Sequence, residues 1–180
     1  GYVGELGWEL HVPTEYAAHV YELLRAAGEA HGIADAGYRA IDSLRMEKGY
    51  LYWSSDITPD YSPLEAGLGF RLNFNKGDFI GRDALLKQRE AGVKQKLITF
   101  LLDDYLPLYG SEAVMVDGKV VGVTTGGNFG YTVGKVIGYG YLPVELVARG
   151  AVEIEAFGKV VTARIATKAA YDPENLRLKA

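Results

Sequence analysis

At 180 residues, with 48% hydrophobic and 23% charged side chains, the chain has a globular composition and can bury one good core or two small ones. A net charge of −4 argues against the clustered Lys and Arg that hold nucleic-acid phosphates, and zero cysteines exclude disulfides, iron–sulfur clusters and thiolate zinc sites. The histidines His11, His19 and His31 offer no metal-ligand pair at helical spacing, and no apolar run is long enough to cross a bilayer.

The opening segment Gly1 to Leu10, GYVGELGWEL, places one acidic side chain, Glu5, among glycines and the aromatics Tyr2 and Trp8. Gly4 and Gly7 accept positive φ at little cost, so Glu5 can sit on a tight loop. That loop is expected to feed a strand, Trp8 to Val12, in which Trp8, Leu10 and Val12 alternate with Glu9 and His11. A carboxylate so placed can accept two N–H donors side by side, although from chemistry alone a lone glutamate more often reads as an ordinary solvated turn residue.

Pro13 and Thr14 then start a helix, with Ala17, Val20, Tyr21, Leu24 and Ala27 on one face and its end at Gly32. Asp35 is placed to cap a second helix, with Tyr38, Ile41 and Leu44 on one face and Gly49 as the stop. Arg39 and Arg45 of this helix read as surface ion-pair formers. Tyr50, Tyr52 and Trp53 enter a Ser/Asp/Pro-rich loop and are expected to cover a core edge. In Leu64 to Leu72, glycines permit close backbone approach, and Phe70 can face either a planar ligand or the core. Asn73 to Gly77 is a turn, and Arg82 to Ala91 a short charged helix stopped by Gly92.

From Lys96 the texture changes to short β-rich runs: Leu97–Leu102, Ala113–Val116, Lys119–Thr124, Lys135–Tyr141, Val152–Ala156 and Lys159–Thr167. Asp117-Gly118 and, more weakly, Phe157-Gly158 signal hairpins. The fold class is α+β, with a strand-and-helix segment at 1–95 and a small antiparallel barrel or sandwich at 96–180. The glycine-rich run Thr124 to Lys135 fails as a phosphate loop on spacing and on Val136, and no Gly-x-Gly-x-x-Gly followed by a helix occurs.

GYVGELGWEL resembles the tetrahydrofolate-site segment of the glycine cleavage T-protein (aminomethyltransferase) family. GYRAIDSLRMEKGY, SPLEAGLGF, DFIGRDAL and GKVVGVTTGGNFGYTVGKVIGYGYLP match further family stretches in the same order, and together the five cover most of the chain. Within the family, AIDSLRMEKGYLYW, KVIGYGY and the closing YDPENLRLK look most like the C-terminal module of sarcosine and dimethylglycine dehydrogenases. The resemblance implies a partial folate-binding domain followed by a C-terminal antiparallel barrel. The family's N-terminal half, with its catalytic aspartate, is expected to precede this stretch, so the sequence reads as a fragment that does not catalyse alone.

The implied chemistry is transfer of a one-carbon methylene unit to tetrahydrofolate. By alignment Glu5 occupies the position of the pterin-reading glutamate, Phe70 replaces the tryptophan of GLGW, and Tyr2 lines the same pocket. The folate-contacting arginine of T-proteins is replaced by Ile41. Arg39, two residues earlier, is the fourth candidate cofactor-binding residue after Glu5, Tyr2 and Phe70, although at about 100° of turn per residue it projects from another face and does not simply inherit the arginine's role. A tyrosine near the T-protein C-terminus aligns with Leu176. The implied partners are folate and a small N-methyl amine or its iminium, with FAD only in an upstream domain, and with no metal, nucleic acid or membrane. A free-standing aminomethyltransferase would need a lipoyl carrier protein instead, and a non-catalytic regulatory protein, like the regulatory subunit of pyruvate dehydrogenase phosphatase, is the third reading. The implied compartment is the bacterial cytoplasm or the mitochondrial matrix.

Overall fold

The computed structural model describes residues 1–179. Helix α1 (Thr14–Gly28) passes into a 3₁₀ turn, Glu29–His31, and ends at Gly32, whose φ of 74° is the left-handed conformation that glycine adopts without strain. Helices α2 (Tyr38–Glu47) and α3 (Arg82–Ala91) follow, with a second 3₁₀ turn, Gly69–Arg71, between them. The remaining elements are strands β1 (Gln95–Leu102), β2 (Ala113–Val116), β3 (Lys119–Gly130) and β4 (Lys135–Pro143), a short helix α4 (Val144–Val147), and strands β5 (Ala151–Ala156) and β6 (Lys159–Ala166).

The six strands close into an antiparallel barrel in the order β1-β4-β3-β2-β5-β6, with β6 pairing back to β1. Closure removes the unpaired strand edges that an open sheet exposes. Both hairpin signals form: Asp117, Gly118, Phe157 and Gly158 all take positive φ, as a two-residue primed turn requires. Phe100, Leu102, Val114, Ile154 and Ala163 fill the barrel. A second cluster, Met46, Leu101, Ile137 and Tyr139, forms where α2 packs on β3 and β4, with Leu101 of the neighbouring β1 beside it. β4 is therefore buried on both faces from Val136 to Leu142, which explains why this stretch lacks polar alternation.

β3 is longer than the sequence suggests, continuing from Thr124 through the glycines to Gly130. A Cβ on Gly127 would overlap the Leu108 side chain and sit 3.2 Å from the Ile137 carbonyl oxygen. The glycine-rich run is thus strand backbone at a close approach, not a loop. Gly127→Ala is expected to lower stability by about 1–3 kcal/mol through overpacking, read as a lower Tm with the barrel retained.

Three local expectations are corrected. Trp8 to Val12 forms no strand, and Trp8 is 82% exposed; an extended segment becomes a strand only when another backbone pairs with it, and none among the described residues does. Asp35 does not cap α2. Gly37 occupies the N-cap position with no side-chain cap, while Asp35 accepts a hydrogen bond from Tyr21 Oη at 3.0 Å. Trp53 does not cover a core edge but stands 62% exposed.

Candidate functional site

The site is built on the C-terminal end of α2. Gly49, with φ of 75°, donates to the Met46 carbonyl, and Tyr50 donates to the Arg45 carbonyl, closing the helix in a Schellman turn. The four residues before the glycine, Arg45, Met46, Glu47 and Lys48, are all buried. Three of them are ionisable, so each needs a partner.

Arg45 is not a surface ion-pair former. Its Nη1 donates to Asp56 Oδ2 at 2.5 Å and to the Tyr50 carbonyl at 3.1 Å, and its Nε donates to Asp42 Oδ1 at 2.8 Å. Burial opposes the charge, but the Asp56 and Asp42 carboxylates outweigh it and hold the guanidinium above its usual pKa. Asp56, fully buried, also accepts from the Tyr52 N–H at 2.8 Å and Thr125 Oγ1 at 3.1 Å. Tyr139 and Tyr141, pushed above the usual phenol range chiefly by burial, stay neutral and donate to the carbonyls of Met46 and Asp56. Glu47 Oε1 accepts the N–H groups of Thr132 and Val133, tying α2 to the β3–β4 turn. These bonds make a rigid floor.

The Glu5 loop lies on this floor. Gly4, at φ of 78°, packs on the Lys48 stem so closely that a Cβ would clash with it at 2.6 Å. Lys48 Nζ continues past it to Asp172 Oδ2 at 2.8 Å. Tyr2 stacks on Tyr50 at 6.0 Å and donates its hydroxyl to the Leu51 carbonyl at 2.8 Å. Glu5 Oε1 accepts a 2.5 Å hydrogen bond from Tyr171 Oη, and that bond holds the phenol above its usual pKa.

Asp172 is held below the usual carboxylate range, first by the Lys48 hydrogen bond, and its carboxylate also receives the N–H groups of Leu176 and Arg177. A depressed folded pKa stabilises the fold above the unfolded pKa and stops doing so as pH falls through the folded value. Acidification is therefore expected to release the 171–177 segment before the barrel unfolds. Protection factors of the Leu176 and Arg177 amides against hydrogen exchange should fall first, and equal loss at barrel amides would refute this.

Of the four residues singled out in the sequence, Tyr2 and Phe70 line one groove of about 940 Å³, together with Lys48, Tyr50, Leu68 and Lys96. Phe70 is 76% exposed with Arg71 over its ring at 4.9 Å, so its face is available rather than packed in the core. Glu5 is not itself a lining residue, although Gly1 and Tyr2 of its loop are. Arg39 lines a different cavity, of about 780 Å³, with Asp42, Tyr105, Asn128 and Phe129. Sequence reasoning missed Lys48, Asp56, Tyr171 and Asp172. Asp172-Pro173 after Tyr171 is a local turn signal that could have drawn attention to this segment, but nothing local names the partners.

Two family models match the chain: the GCVT N-terminal domain over residues 1–76 and the glycine cleavage T-protein C-terminal barrel domain over residues 95–172. The mitochondrial sarcosine dehydrogenase of Mus musculus is 46% identical over 99% of this chain, which spans 20% of that protein. The mitochondrial dimethylglycine dehydrogenase of Mus musculus is 42% identical over 91% of this chain and 19% of its own length. The chain thus spans about a fifth of the dehydrogenases it matches. The crystal structure of glycine cleavage system aminomethyltransferase T from Bartonella henselae superposes with a TM-score of 0.87 at 28% identity, covering 96% of this chain and 48% of that one. With both T-protein models matched in order and the same architecture in a solved relative, the chain belongs to the glycine cleavage T-protein (aminomethyltransferase) superfamily.

Proposed function

We propose that this chain is the tetrahydrofolate-binding, one-carbon-transfer part of a sarcosine- or dimethylglycine-dehydrogenase-type enzyme, with residues 1–95 forming part of the folate-binding domain and 96–180 the barrel. The observation that carries the reading is the surface around the Glu5 loop. Glu5, half-buried and held by Tyr171, sits on the loop whose Gly1 and Tyr2 line a groove that Phe70 also lines.

These residues fit a pterin. A carboxylate offers about four lone-pair positions, of which Tyr171 uses one; two others can accept a parallel exocyclic amine and ring N–H. Tyr2 and Phe70 supply flat apolar faces for the ring. Arg39, on the other cavity, is left out of this set. Bound tetrahydrofolate supplies the nucleophilic nitrogens that take up a methylene unit. The chain's contribution is to hold the pterin at a fixed angle, so that an iminium carbon meets it by proximity rather than diffusion, and to limit loss of that carbon to water as formaldehyde. No proton transfer is assigned to a residue of this chain. The amine oxidation is assigned to another part of a longer protein.

The test uses the full-length protein carrying this sequence. Sarcosine or dimethylglycine should be oxidised, and with tetrahydrofolate present the methylene carbon should appear as 5,10-methylenetetrahydrofolate in place of released formaldehyde, faster than free formaldehyde condenses with tetrahydrofolate in the absence of the protein. A product that stays formaldehyde whatever the folate concentration overturns the proposal. The barrel and helix geometry shared with an aminomethyltransferase supports a second reading, a free-standing enzyme of that type. It would show a colourless protein and turnover only with a lipoyl carrier protein.

A further inference from the structure

Glu5 is joined to a residue 166 positions away, and the way that residue is held suggests what the bond is for. Tyr171 is fixed through its backbone, its N–H donating to the Glu47 carbonyl at 2.9 Å. The next residue, Asp172, takes a left-handed φ of 41° and accepts Lys48 Nζ on both its carbonyl and its carboxylate. Both side chains of that ion pair are nearly closed to solvent, at 1% and 8% exposure. The same Lys48 carries the Glu5 loop on its aliphatic stem, through Gly4. One side chain therefore sets the distance between the loop that bears the carboxylate and the strap that bears the phenol. Both segments are built onto a helix end that is itself locked to the barrel.

We propose that Tyr171 is the positioning residue for Glu5: it holds Oε1 so that the remaining acceptor positions keep the spacing and direction that two parallel N–H donors of a pterin require. The proposal rests on the reading of Glu5 as the folate-binding carboxylate. A glutamate has three rotatable side-chain torsions, and an unanchored one at a half-buried loop samples several carboxylate orientations. A hydrogen bond from a phenol whose own backbone is pinned selects one of them without neutralising the charge. The hydroxyl of Tyr171 is spent on Glu5, so the role assigned to it is exerted through Glu5.

The test is a double-mutant cycle in tetrahydrofolate affinity, measured on the full-length protein as wild type, Tyr171→Phe, Glu5→Gln and the double variant. Tyr171→Phe keeps the ring and removes only the donor. It is expected to weaken tetrahydrofolate by about tenfold, the order of one hydrogen bond to a charged group, with Tm changed by no more than about 2 °C. In the Glu5→Gln background the same change should have an effect of less than about twofold, because there is no charged acceptor left to position. Unchanged affinity in Tyr171→Phe overturns the proposal, and so does an equal loss in both backgrounds, which marks a structural role unrelated to Glu5. If Glu5→Gln alone leaves affinity unchanged, the folate reading of Glu5 fails and takes this proposal with it. Loss in Glu5→Gln without loss in Tyr171→Phe removes only the role of Tyr171.

Discussion

Replacing Asp56 with alanine is expected to lower the free energy of unfolding by about 3–5 kcal/mol. The carboxylate has no solvent exposure and accepts three hydrogen bonds, from Arg45, Tyr52 and Thr125. Without it, the Arg45 guanidinium stays charged, since it cannot deprotonate, and remains buried at 5% side-chain exposure. Asp42, which is 38% exposed, is a poorer counter-charge and is already bonded to Arg45 Nε and Asn128. The Tyr52 N–H and the Thr125 hydroxyl lose their acceptor as well. Denaturant unfolding measures the loss, and a change below about 1 kcal/mol would mean that water replaces Asp56 and that the pair contributes little. Adding Arg45→Met should recover part of the deficit, because the stranded charge leaves with it. The pair has a positional role too. Leu51, which accepts the Tyr2 hydroxyl, lies within the loop from Tyr50 to Asp56 that the pair fastens.

On the dehydrogenase-type reading proposed above, Glu5→Ala in the full-length protein is expected to weaken tetrahydrofolate by about a hundredfold or more while leaving reduction of that enzyme's flavin by the amine nearly unchanged. The size follows from two charge-assisted hydrogen bonds of about 1.5–3 kcal/mol each when sheltered from water, at about tenfold per 1.4 kcal/mol. The separation follows from the chemistry: oxidising the amine does not need the acceptor of its methylene group. Arg39→Ala serves as the control, because Arg39 lines the other cavity, and it should shift folate affinity by less than about twofold. A comparable loss in Arg39→Ala would move the folate tail into that second cavity. Isothermal titration separates the two, and unchanged binding in Glu5→Ala would remove the assignment altogether.

The barrel was legible because its signals are local. Asp117-Gly118 and Phe157-Gly158 need only their own φ preferences to turn the chain, and β-branched runs between turns need only the next strand. Helix ends at Gly32, Gly49 and Gly92 were legible for the same reason. Trp8 to Val12 was misread because alternation shows that a segment can be a strand, whereas pairing depends on a second backbone. The glycines from Gly126 to Gly130 were misread in the opposite sense: their absent side chains reflect Leu108, Ile137 and Glu47 pressing against β3, a crowding with no trace in the strand's own sequence.

For the site, the motif around Glu5 drew attention to the loop, and nothing in its ten residues pointed to Tyr171. The three bonds that shape this region join Arg45 to Asp56, Lys48 to Asp172 and Tyr171 to Glu5, across separations of 11, 124 and 166 residues. By itself the sequence determined the superfamily, the order of the three longer helices and six barrel strands, and the carboxylate on which a folate reading rests, because motif spacing and turn chemistry are written along the chain. Only the tertiary structure decided which charges are buried, which partner each takes and which aromatic faces share a groove. Those outcomes are set by desolvation and by distances of a few ångströms between segments that the chain order keeps far apart.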